Sequence, residues 1–125
     1  MLDLIFLYGG AVLPGVWGLA HLFPTKSVVR GFGEITSDNK RIITMEWILE
    51  GVALIWIGVL VATVTAIDPA GAVSRSVYLL SAIGLLVFAA VSLFTGFRVK
   101  FLPFKLCPFI FTLSAILILL GGVLR

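Results

Sequence analysis

Two glutamates one helical turn apart, Glu46 and Glu50 in the stretch TMEWILEG, are the residues best placed to do chemistry in this sequence. They open directly into ALIWIGVLVATVTAI, a run suited to hydrocarbon. If hydrocarbon begins near Trp47, Glu50 lies about 4–5 Å inside it, at a rise of ~1.5 Å per residue. An ionised carboxylate is heavily penalised there, so Glu50 must be neutral or find a partner. Glu46 sits at the boundary and can reach water. The single histidine, His21, falls about one turn before Phe23-Pro24, where the first apolar run ends, and is therefore level with Glu50. Ser92, Thr95 and Arg98 reach the same level from a third run. His21, Glu46, Glu50, Thr95 and Arg98 are thus expected to converge as a ligand-binding or proton-carrying cluster. A purely structural role is equally open for Glu50, held by a hydrogen bond to His21 or a salt bridge to Arg98. Glu46 also fits a solvated charge at a helix end.

The same residues exclude a good deal. One histidine cannot supply two axial ligands to a haem within one chain, and one E-x-x-x-E is too little to assign a metal. Cys107 is the only cysteine, so no intramolecular disulfide or C-x-x-C redox pair exists. It fits a small buried residue, with acylation as the alternative. There is no phosphate-binding loop, nucleophile elbow or HExxH motif, which disfavours hydrolases and nucleotide-driven pumps. No cofactor and no catalytic residue are assigned, and no nucleic-acid motif is present.

The elements that must position these residues follow from composition. Apolar residues make up 61% of the 125 residues and charged ones 12%, against about 45–50% and about 25% in soluble domains. That charge cannot cover a water-facing surface, so the chain is read as an all-α integral membrane protein, one domain over 1–125. A spanning helix needs about 20 mostly apolar residues, and four runs qualify, at 2–23, 47–67, 76–96 and 108–124. Lipid offers no partners to open backbone, so each is expected to be a helix in a small bundle. Asp3 and the lack of a basic leader argue against a cleavable signal in the first run, and Pro14 suggests a kink there. Gly58, Ala62 and Ala66 form a small-residue stripe in the second span, and Tyr78, Ser81, Ser92 and Thr95 share one side of the third. Such stripes are usually helix-packing contacts. Trp47 fits an interfacial anchor, with Trp17 and Trp56 elsewhere along the spans.

Between the first two spans, residues 25–36 place Val28, Val29, Phe32 and Ile35 at helical spacing, with Lys26, Arg30 and Glu34 round the wheel. This predicts a short amphipathic interfacial helix with Thr25 as its N-cap. Ser37 or Asp38 would cap the second span, which would start near Asn39. Loop 24–46 carries Lys26, Arg30, Lys40 and Arg41, and loop 97–107 carries Arg98, Lys100 and Lys105. The opposite side has Arg75 and Arg125. The positive-inside rule then puts both loops in the cytoplasm and both termini outside, in the plasma or inner membrane for a bacterial protein.

EGVALIWIG, from Glu50 to Gly58, resembles the second helix of DoxX-like small membrane proteins, and GVWGLAHLF resembles the close of their first, with His21 at the terminal polar position. The resemblance covers about forty residues, and the loop KSVVRGFGEITSDNK has no counterpart in it. It implies a four-helix bundle associated with membrane redox or quinone-linked complexes, or with assisting other membrane proteins, and it supplies no catalytic residues.

Three functions remain open. The first is a small polytopic binding or accessory protein, whose pocket at the cytoplasmic end takes a lipid-like or quinone-like hydrophobic molecule or a partner helix. The second is an oligomeric proton- or cation-linked transporter or channel, since four short helices rarely enclose a pathway alone. The third, an enzyme acting on a lipid-soluble substrate through Glu50 and His21, is the least favoured. The bilayer is the one partner expected in all three, with a homo-oligomer or larger membrane complex as a further partner.

Overall fold

The computed structural model describes residues 1–124; Arg125, counted above with the outer basic residues, lies outside them. Five helices follow one another: α1 (Leu2–Leu22), α2 (Thr25–Gly31), α3 (Ser37–Ile67), α4 (Ala72–Thr95) and α5 (Leu102–Gly122). All but α2 are long and apolar enough to cross a membrane. Only 28–39% of their most apolar windows is buried inside the protein, so most of that apolar surface points away from the core.

Several boundaries differ from the sequence-based expectation. Thr36 rather than Ser37 or Asp38 caps α3, its side chain accepting from the Asn39 N–H at 3.2 Å. Thr25 does not cap α2; its hydroxyl donates back to the Leu22 carbonyl at 2.6 Å. Pro24, which has no N–H to continue α1, holds that position instead. The helix then stops at Gly31, short of residue 36, because Gly33 turns the chain with φ of 73°. Val29 is buried, whereas Phe32 is exposed beyond the helix end. The last long helix starts at Leu102, six residues before Pro108, with Pro103 in its first turn where a missing N–H is harmless.

Helix α1 lies between α3 and α5, and α4 packs along α5. Glycines set these distances. A β-carbon on Gly58 would lie 2.5 Å from the Ala11 carbonyl oxygen, and one on Gly18 would lie 2.6 Å from that of Gly51. The buried row of α3 is Gly51, Leu54, Gly58, Val61 and Thr65, whereas Ala66 is exposed. Steps of four residues drift about 40° each round a helix, so the expected Gly58–Ala62–Ala66 stripe leaves the packing face. Alternating steps of three and four stay on it. On the other side of α1, the Ser114 hydroxyl donates to the Gly10 carbonyl at 2.5 Å, tying α5 to α1.

Helices α3 and α4 meet at their connecting turn, where Thr65 and Tyr78 share a hydrogen bond of 3.0 Å and Ser74 donates to the Val64 carbonyl at 3.3 Å. At the other end a groove of about 380 Å³ lies between them, lined by Glu50, Phe88, Ser92 and Phe111. Of the sequence-expected polar side of α4, Tyr78 and Ser81 are buried, Ser92 is half-buried and Thr95 is exposed.

Gly58→Ala should lower stability by about 1–3 kcal/mol, because the new methyl meets backbone that cannot yield. Gly84→Ala, in open space, should be neutral or stabilising by up to ~1 kcal/mol through helix propensity. Unfolding midpoints in sodium dodecyl sulfate check the pair, and equal midpoints would contradict this helix approach.

Candidate functional site

At the end of the bundle where α1 finishes and α3 begins, residues 21 and 47 clasp each other. The Trp47 indole N–H donates to the His21 carbonyl at 2.9 Å, and His21 Nε2 lies 3.0 Å from the Trp47 carbonyl. A carbonyl only accepts, so Nε2 carries the proton in this bond. The two rings also stack, with centroids 3.8 Å apart and planes 17° from parallel. The clasp follows from the glycines, because the Gly18–Gly51 contact one turn away brings the two backbones close enough for it.

Glu50 lies one turn along α3 from Trp47, and its Oε2 is 3.5 Å from His21 Nε2. The His21 side chain is 7% exposed and that of Glu50 45%, so the imidazole sits inside and the carboxylate at the opening. The Trp47 carbonyl takes the shorter bond, which makes the contact with Glu50 mainly electrostatic. Among the described residues no hydrogen bond reaches the Glu50 carboxylate.

Beside this pair is a cavity of about 130 Å³, walled by Trp17, His21, Trp47, Glu50, Phe104 and Cys107, with Phe101 and Pro103 also contributing. Trp17 donates its indole N–H to Cys107 Sγ at 3.4 Å, and the thiol in turn donates to the Pro103 carbonyl at 3.3 Å. Phe104 stands edge-on to Trp47, with ring centroids 5.8 Å apart. Glu50 and Phe104 also border the α3–α4 groove and a wide outer groove of about 1110 Å³.

Of the residues singled out from sequence, His21 and Glu50 come together. Glu46 lines only the outer groove. Thr95 borders the α3–α4 groove but spends its hydroxyl on the Val91 carbonyl at 2.6 Å. Arg98 is exposed in the α4–α5 connection and makes no ion pair with Glu50. The helix ends before it, at Thr95, so its side chain is not carried along the inner face. Sequence reasoning missed the aromatic walls. Trp17 precedes His21 by four residues and Trp47 precedes Glu50 by three, spacings that put each pair on one helix face. No cluster among the described residues could hold a metal ion. The arrangement can accept hydrogen bonds and positive charge at Glu50, and it surrounds a small group with aromatic rings.

The chain matches no family model, and no curated protein or solved structure matches it.

His21→Asn removes the stack and leaves the Trp47 carbonyl without its donor, and Trp47→Phe leaves the His21 carbonyl without its own. Each should cost about 1–3 kcal/mol. Detergent-unfolding midpoints unchanged from the parent would show that the clasp does not hold α1 to α3.

Proposed function

We propose that this chain is a small integral membrane binding or accessory protein, and that the cavity beside His21 and Glu50 takes the polar head of an amphipathic, lipid-like or quinone-like molecule. In this reading the four long helices span the bilayer and α2 lies at its surface. The seven basic residues of loops 24–46 and 97–107 face the cytoplasm, and both termini face outward. The resemblance to DoxX-like proteins belongs to the same proposal, because it too implies a four-helix bundle linked to quinones or to other membrane proteins.

One observation carries the reading. The cavity is comparable in size with those of about 150 Å³ that admit benzene, is walled by aromatic rings, and has one exposed carboxylate at its mouth. Glu50, Phe104 and Cys107 line both this cavity and the α3–α4 groove. A polar head would sit beside Glu50 while its chain ran along Phe88 and Phe111. Sites of this kind, mostly apolar with few polar groups, orient a ligand by those few groups.

Trp17 and Trp47 line the cavity, whereas Trp56 is exposed on the outer surface. In Trp56→Phe protein in lipid nanodiscs, 12-bromododecanol should therefore quench tryptophan emission saturably. Ala20→Phe, which fills the cavity from α1, should abolish the saturable part, Glu50→Gln should weaken it, and Glu46→Gln should change it little. Quenching that rises linearly, alike in all variants, would leave only partition into lipid and would contradict the reading.

A further inference from the structure

The end of the bundle that holds the cavity also holds seven basic side chains, Lys26, Arg30, Lys40, Arg41, Arg98, Lys100 and Lys105. None of them lines the cavity or either groove beside it. Lys105 is turned away, its Nζ donating to the Phe97 carbonyl at 2.8 Å and lying over the Phe97 ring. Arg41 reaches Asp38 instead, at 3.8 Å. The charged side chains that do line these spaces are Glu50 and Glu46, with His21 as the one further titratable base. The recesses are therefore electronegative within a basic surface.

The cavity adds a second feature. Four aromatic residues, Trp17, Trp47, Phe101 and Phe104, contribute to its wall beside the Glu50 carboxylate. Aromatic rings attract a cation through the negative potential of their faces, most strongly for tryptophan and where water is excluded. A carboxylate that receives no hydrogen bond from a described residue, and has no described lysine or arginine within 4 Å, supplies the opposite charge. The carboxylate repels an anionic head, and carboxylate and rings together favour a cation over a neutral one. Lysine or arginine would be expected beside a phosphate or carboxylate, and hydrogen-bond donors beside a quinone oxygen. His21 supplies no free donor from Nε2, which is engaged with the Trp47 carbonyl.

We infer that the head recognised in this cavity is an alkylammonium group, carried by an apolar chain that lies in the α3–α4 groove. This rests on the reading of the cavity as an amphiphile site and selects the charge of its ligand. The ammonium group can belong to a headgroup of the surrounding bilayer or to a free single-chain amine; the recognition chemistry is the same.

The test is a competition in which relief of 12-bromododecanol quenching is read in Trp56→Phe protein, in phosphatidylglycerol nanodiscs, after subtraction of empty nanodiscs. Three competitors share a twelve-carbon chain: dodecyltrimethylammonium, the near-isosteric but net-neutral dodecyldimethylamine oxide, and dodecanoate. The ammonium compound should compete about tenfold better than the amine oxide, and dodecanoate worst. Glu50→Gln should bring ammonium and amine oxide to equality. Phe101→Leu, which keeps apolar bulk without a ring, should reduce the ammonium advantage several-fold and provides the answer if Glu50→Gln fails to fold. Replacing part of the phosphatidylglycerol by phosphatidylcholine should displace the bromo probe if a bilayer headgroup is the ligand, and should leave it if the ligand is a free amine; either result accompanies an ammonium preference. Equal competition by ammonium and amine oxide would overturn the inference while leaving the amphiphile site standing. Absence of any saturable quenching would remove both.

Discussion

Where α1 crosses α3, glycine stands on both sides, with Gly18 against Gly51 and Gly58 against Ala11 and Gly15. Apolar helices gain little from hydrophobic burial against one another when the surroundings are equally apolar, so close van der Waals contact and interhelical hydrogen bonds must hold them together. The glycines provide the first and make the second possible. Only with the backbones this near can His21 and Trp47 each bond to the other's carbonyl. That exchange fixes Trp47 as one wall of the cavity and sets Glu50, one turn on, at its mouth.

The second crossing serves the opposite wall. Ser114 ties α5 to α1 at Gly10, and Pro103 in the first turn of α5 receives the Cys107 thiol, which accepts in turn from Trp17. Cavity walls thus come from three helices, each held by hydrogen bonds that do not depend on the cavity being filled. The α3–α4 pair differs, joined near the turn by Thr65 and Tyr78 and separated by a groove at the other end. An apolar chain would meet the cavity from that side.

Much of this was legible in the sequence, and the remainder was hidden for identifiable reasons. The four apolar runs stand out because each is long and apolar enough to cross a membrane. His21 and Glu50 could be set level by counting rise from the run boundaries, since depth along a helix is linear in residue number. Rotation is less forgiving: the Gly58–Ala62–Ala66 stripe drifts 40° per step, and only the position of α1 selects Gly51 and Gly58 as the contact. Arg98 was expected at that level just past the third span, but rise per residue fixes depth only within a helix, and α4 closes at Thr95. Trp17 and Cys107 lie 90 residues apart in the chain, so their contact was not available to any local pattern.

The proposed amphiphile would lie beside Glu50. An experimental density map of the protein in lipid nanodiscs should show an elongated feature running down the α3–α4 groove and ending within hydrogen-bond or ion-pair distance of the Glu50 carboxylate, with Trp47 still clasped to His21. A map in which Trp17 and Phe104 close on one another and leave no space beside Glu50 would contradict it.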